Sequence, residues 1–182
     1  TTEGLHAVVA LAADLIGCPN ADALLRRAVF LAHSRLGLSR CAILLADGNR
    51  LLGTYAVDAA GEIVDDKQRS IAIPDAWVRG SDPGATRGAR WETCDPRLWP
   101  CIDADPASSE WVARTPIRAG ETLVGVMCNV VGPTADAADG AQQDIAAVLC
   151  SLLGALIERD RMQGALRASE ERLRRVIATA NE

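Results

Sequence analysis

The sequence predicts an α+β domain, with a central antiparallel sheet of five to six strands, the helices of both termini on one face and the loops of residues 58–109 over the other. Three observations predict it. Apolar residues recur at helical spacing at both ends of the chain; two pairs of apolar runs are each joined by a glycine-containing turn; and the stretch between the pairs has no apolar periodicity.

In chain order, Leu5, Val8, Val9, Ala12, Leu15 and Ile16 mark a first amphipathic helix, which Gly17-Cys18-Pro19 ends because proline cannot continue it. Asn20 or Asp22 caps a second helix, whose apolar positions Leu24, Leu25, Ala28, Val29, Leu31 and Ala32 run on until Gly37. Cys41–Ala46 and Leu51–Val57, apolar on both faces and separated by Asp47-Gly48-Asn49, form a buried hairpin. Asp58 to Gln68 reads as an extended polar loop before a short strand at Ser70–Ile73.

From Pro74 to Ser109, Pro, Gly and Asp punctuate every few residues, yet Trp77, Trp91 and Trp99 lie in this segment, which favours a packed binding loop over disorder. A second hairpin follows, Trp111–Ile117 and Glu121–Val131, turning at Arg118-Ala119-Gly120. From Ala141 a helical pattern runs to the terminus without a strong breaker and reaches some forty residues. Its stripe is broad through Ile145, Val148, Leu149, Leu152, Leu153, Leu156 and Ile157, then narrows to Leu166, Leu173 and Ile177 among charges. Residues 1–158 therefore make one domain and 159–182 a signalling helix or coiled-coil linker. The second half has nothing in this chain to pack on. Its expected partner is the same helix of a second protomer in a parallel coiled coil, the alternative being a solvated linker that orders when a following domain is attached.

Apolar residues at 49% and charged residues at 24% fit a packed globular core. The net charge of −5 comes from interspersed signs, with no basic stripe, so nucleic acid and anionic membrane are not expected partners. No apolar run is read as reaching the roughly 18–20 residues of a membrane span, and the start lacks a basic leader, which gives a cytoplasmic expectation. Six cysteines without a CxxC pair, and two distant histidines, argue against a zinc site and a disulfide framework.

The order of elements resembles the GAF domain family over roughly residues 3 to 158. The phrases Leu51-Leu-Gly-Thr-Tyr-Ala-Val-Asp58 with Gly61-Glu-Ile-Val-Asp-Asp66, and Thr115-Pro-Ile117 with Leu123-Val-Gly-Val-Met127, carry the resemblance. Leu166-Arg-Ala-Ser-Glu-Glu-Arg-Leu-Arg-Arg-Val-Ile177 is similar to the connector that opens a PAS domain in bacterial signalling proteins. The resemblance implies a non-enzymatic sensor of a small molecule or of redox state in a multidomain protein, such as a histidine kinase of a two-component system or a diguanylate cyclase. It implies a homodimer formed through the N- and C-terminal helices and a downstream signalling domain in the same chain.

The family's cyclic-nucleotide signature is missing, since Asn129 is followed by Val-Val-Gly, and no cysteine precedes the histidine that bilin-binding relatives carry. His6 and His33 sit on amphipathic helices, where a haem ligand is the rarer role. No cofactor is assigned. The expected ligand residues are Tyr55, Trp77, Arg79, Trp91, Trp99, Trp111, Ala113, Met127 and Asn129, with Arg79, Arg90 and Arg114 suited to an anionic or aromatic ligand; core packing is the other reading of the tryptophans. Cys94 and Cys101 are a candidate redox pair, faintly similar to the loop cysteines of GAF-fold free methionine sulfoxide reductases, which leaves a thiol enzyme as the alternative and a ligand-free dimerisation scaffold as a second. The other four cysteines, Cys18, Cys41, Cys128 and Cys150, are read as small hydrophobes, and no catalytic or metal residue is assigned.

Overall fold

The structure, a computed structural model, describes residues 2–73, 92–94, 110–134 and 138–180, excepting the side chains of 2–8, 92, 94 and 180. Two helices, α1 (Thr2–Ile16) and α2 (Ala21–Ser34), precede four strands, β1 (Ser39–Asp47), β2 (Arg50–Val57), β3 (Ile63–Asp65) and β4 (Ser70–Ala72). After them come β5 (Glu92–Cys94), β6 (Trp111–Ala119), β7 (Thr122–Gly132) and the closing helix α3 (Gly140–Ala180). The strands form one antiparallel sheet in the order β3-β2-β1-β7-β6-β5, with β4 beside β3 on the outer edge of β2. The α+β architecture is as predicted, and three strands of three residues bring the described sheet to seven.

Local chemistry sets these boundaries. Asn20, extended at φ −158°, accepts the Ala23 amide proton at 2.9 Å and so is the cap of α2. The two hairpin turns bend at Gly48 and Gly120, whose φ values of 57° and 58° suit glycine best. The segment after β2, expected to be a loop, is folded instead. Asp58 Oδ1 accepts from the Ala60 and Glu62 amides at 2.8 and 3.0 Å, which turns the chain so that Ile63–Asp65 pairs with Tyr55–Val57. Three residues are too few to show alternation in a sequence.

Strand parity divides the core. Cys41, Ile43, Tyr55, Val57, Ile117 and Met127 face the helices, where Leu15, Leu24, Leu31, Leu153 and Ile157 join them in the main buried cluster. The other sheet face carries a second buried cluster of Ala42, Leu44, Leu51, Ile73, Val112, Val126 and Cys128. An extra residue in β7 makes the hairpin bend: Ile117 lies opposite Gly125 but Arg118 opposite Leu123, which leaves Val124 unpaired and turned toward the helices.

α3 runs for 41 residues. Its first half buries Ala146, Leu149, Cys150, Leu153, Leu156 and Ile157, whereas every described side chain beyond Asp160 is exposed. At Gly154 the helix backbone touches the end of β6 so closely that a Cβ there would lie 1.9 Å from the Arg118 carbonyl oxygen. One expectation is corrected here. An 18-residue window of α3 has mean hydropathy 1.4, so the helix is long and apolar enough to cross a membrane by length and composition, although half of that window is buried inside the domain. The stripe packed on the sheet supplies this hydropathy, as it does in core helices of folded domains.

Candidate functional site

On the sheet face turned away from the helices, one row of residues crosses four strands in register: Ala56 of β2, Ala42 of β1, Cys128 of β7 and Arg114 of β6. At backbone level the row continues to Glu92 of β5. The flanking positions on this face are larger, with Leu44 opposite Val126 on one side and Val112 on the other. By side-chain length the row is a low line between taller ones, a trough in outline that ends at Arg114, and its residues are buried, Ala42 at 2% and Cys128 at 0% exposure. Arg114 is 8% exposed, and its guanidinium stays charged at any pH a protein meets, so it cannot be buried without compensation. It does engage a partner in the structure. An anionic group brought beside the guanidinium would share or replace that partner.

The expected ligand residues are not gathered on this face. Tyr55 and Met127 belong to the layer between sheet and helices, and Ala113 and Asn129, paired in register two residues along from Thr115 and Met127, share that side. Alternation decides this, because each strand is apolar on both faces and residue type alone does not say which face is which. Trp111 is half-buried at the start of β6, opposite Gly132. Trp77, Arg79, Trp91, Trp99 and Cys101 lie outside the described residues. Cys94 ends β5 opposite Val112, and its side chain is likewise outside the description.

Tyr55 has a definite task where it stands. Its hydroxyl donates to Asp22 Oδ2 at 2.8 Å and accepts from Lys67 Nζ at 3.1 Å, while Lys67 Nζ also lies 2.8 Å from Asp22 Oδ1 and 4.8 Å from the centre of the tyrosine ring. The ammonium of Lys67, and then the tyrosine hydroxyl, hold the Asp22 carboxyl below its usual range; Asp22 in turn raises Lys67. The group fastens the β3–β4 turn to α2. Beside it an open hollow of about 430 Å³ is lined by Asp22, Arg26, Arg27, Phe30, Tyr55 and Ile63. A wider groove of about 590 Å³ runs between the β6–β7 turn and α3, past Arg118, Gly120, Ala155, Glu158, Arg159 and Met162.

The described cysteines with described side chains are free. Burial pushes the Cys41 thiol up to about 12 and raises Cys150 further still, which makes both poor nucleophiles near neutrality. Among the described residues no group of three His, Cys, Asp or Glu side chains is placed to hold a metal.

Sequence reasoning gave Arg114 only a supporting role and gave Cys128, Ala42 and Ala56 none. The usable signal was a charged residue inside the mostly apolar run Trp111–Ile117.

No family model matches the chain, and no curated protein does. Solved structures do. The GAF domain of an Acinetobacter phosphoenolpyruvate-protein phosphotransferase superposes with a TM-score of 0.64 at 12% identity, over 91% of this chain and 99% of that one. A methyl-accepting chemotaxis protein segment gives 0.59 at 15% identity, covering 84% and 98%. Free methionine-R-sulfoxide reductase from Neisseria meningitidis, solved with its substrate, gives 0.60 at 13% identity, covering 88% and 91%. Identities this low speak for architecture alone, and what they establish is that the chain has the GAF-domain fold.

Proposed function

We propose that this chain is a non-enzymatic sensory domain that binds a small anionic or aromatic molecule in the trough ending at Arg114 and passes the event through α3 to an output module of the same cytosolic protein. The observation that carries this reading is the buried guanidinium at the end of a row of short side chains, on the sheet face that the helices leave free. A charge kept in such a place costs stability, and recognition of an anion is a reason to retain it.

The output path rests on α3. Val148, Leu152, Ala155, Arg159, Met162, Leu166, Ser169, Leu173 and Val176 alternate in steps of four and three along one side, the spacing of a coiled-coil seam. Met162, Leu166, Leu173 and Val176 are 61–66% exposed, more than an unpartnered helix in water sustains without a reason. Val9 and Ile16 add exposed apolar surface on α1. A homodimer through the terminal helices covers these residues.

The test is thermal denaturation across a library of small carboxylates and aromatic acids, with wild type, Arg114→Met and Arg114→Lys. A ligand at a hundred times its Kd stabilises by about 2.7 kcal/mol, which is roughly 5–11 °C for a chain of this size. The shift should vanish in Arg114→Met and persist in part in Arg114→Lys. A library without a hit, or a hit that Arg114→Met binds as well, refutes the trough. The likeness to a methionine sulfoxide reductase motivates the rival reading, a thiol enzyme using Cys94 and Cys101. Turnover of free methionine sulfoxide that is lost in Cys101→Ser would establish that rival instead.

A further inference from the structure

Among the described residues, three buried side-chain atoms in the helix-facing layer lack a hydrogen-bond partner: Thr115 Oγ1, Asn129 Oδ1 and Gln143 Oε1. Their residues are 0%, 1% and 1% exposed. Each on its own is a destabilising group, because a buried polar atom without a partner forfeits its hydration.

The register of the sheet and the fixed points of α3 place all three along one stretch of this layer. Thr115 lies opposite Met127 and Ala113 opposite Asn129, so Thr115 and Asn129 are diagonal neighbours across β6 and β7 on the same face, with Ala113 and Met127 at the other two corners. α3 crosses above. Its first turn is fixed over the end of β7 by the Gln142 side-chain amide, which donates to the Leu36 carbonyl oxygen just before Ser39 pairs with Val130. Further along, Gly154 rests on Arg118. Going back from Gly154 to Gln143 covers eleven residues of helix, about 16 Å, and going back from Arg118 to Ala113 covers five residues of strand, also about 16 Å. Gln143 therefore comes level with the Ala113–Asn129 pair.

The chemistry of the three atoms selects the guest. Two amide carbonyl oxygens require donors, and the hydroxyl can give or take a proton. Carbonyl oxygens repel an anion, and none of the three groups is negative enough to compensate a buried cation near a helix N-terminus. The first helical amides already have a partner, since Asp139 Oδ1 accepts from Ala141 and Gln142 at 3.0 and 3.3 Å. What fits is a neutral guest of one heavy atom with two donors and a lone pair. We propose that a buried water molecule bridges Thr115, Asn129 and Gln143 and forms a hydrated joint between the β6–β7 hairpin and the first turn of α3. The same strand segments turn Arg114 and Cys128 to the trough on the opposite face, so the joint lies directly behind the proposed ligand floor. The inference does not depend on that ligand.

The experiment is magnetisation transfer from water to the methyl groups of Ala113 and Thr115 in methyl-labelled protein, with melting curves for Thr115→Val and Thr115→Ser. A long-lived internal water gives transfer to both methyls in wild type, and transfer to Ala113 is lost in Thr115→Val and kept in Thr115→Ser. Valine has the shape of threonine without its hydroxyl. If the water is there, Thr115→Val lowers the melting temperature by about 2–4 °C, the loss of one net hydrogen bond in a chain of this length. If the three atoms are simply unpaired, the same variant melts higher than wild type, and that result, or the absence of transfer in wild type, overturns the proposal. Should the valine variant not fold, the wild-type transfer experiment alone decides.

Discussion

Gly154→Ala should destabilise the protein, although the same exchange in the middle of a helix ordinarily stabilises it. Alanine is better than glycine by about 1 kcal/mol in a helix interior. At Gly154 the new methyl would lie 1.9 Å from the carbonyl oxygen of Arg118, 2.5 Å from its carbonyl carbon and 3.1 Å from its nitrogen. Ordinary contact begins near 3.4 Å, so helix and strand must part by about 1.5 Å, and no side-chain rotation relieves a clash between two backbones. Overpacking of this kind costs about 1–3 kcal/mol and more where the backbone cannot yield, which outweighs the propensity gain. The expected net loss is about 2 kcal/mol, or roughly 4–8 °C in melting temperature. Gly164, ten residues on in the same helix, has nothing within 4 Å of the place its added methyl would take, so Gly164→Ala serves as the control and should leave the melting temperature unchanged or higher. If Gly154→Ala melts at or above wild type, the close contact between α3 and β6 is not part of the folded protein.

Two further outcomes follow from exposure and burial. Leu173→Glu removes an apolar side chain that is 61% exposed in the single chain, so the monomer should fold unchanged while the dimer weakens. Two leucines leave each seam at about 1.5–3 kcal/mol apiece, so sedimentation should show association weakened a hundredfold or more; an unchanged dimer places the interface elsewhere. Stability should also fall as pH rises above about 8.5. An unfolded thiol loses its proton near that value while Cys41 keeps its own up to about 12, so the folded state binds more protons across this window and unfolding gains up to about 1.4 kcal/mol per pH unit from each such thiol. Urea midpoints measured from pH 7 to 10 in wild type and Cys41→Ala test this, and equal slopes would show that the thiol is not buried.

Much of the architecture was legible because periodicity and turn chemistry agree. The glycine turns at Gly48 and Gly120, the cap at Asn20 and the unbroken pattern after Ala141 each report a local preference that the tertiary structure does not override. β3 was missed because three residues carry no period, and its placement depends on Asp58 gathering two amides, a contact that composition does not announce. The site was less legible for a different reason. A strand buried on both faces hides which of its residues look toward the helices, and one step of parity moves Asn129 and Met127 to one layer and Cys128 to the other. Arg114 betrays the second face, since a buried charge is out of keeping with its neighbours in β6.

The hold of α3 on the sheet makes it a lever with unequal arms. Its fixed points are Gln142, tied to Leu36, and Gly154, seated on Arg118. They stand about 18 Å apart along the axis, whereas Ala180 lies about 57 Å from the first of them. Pivoting at Gln142, a displacement of 1 Å at the Arg118 turn becomes roughly 3 Å at the far end, provided the helix stays straight. Motions too small to disturb the packing of the sheet would thus arrive at the end of the helix as steps comparable to the shifts that separate two packings of neighbouring helices.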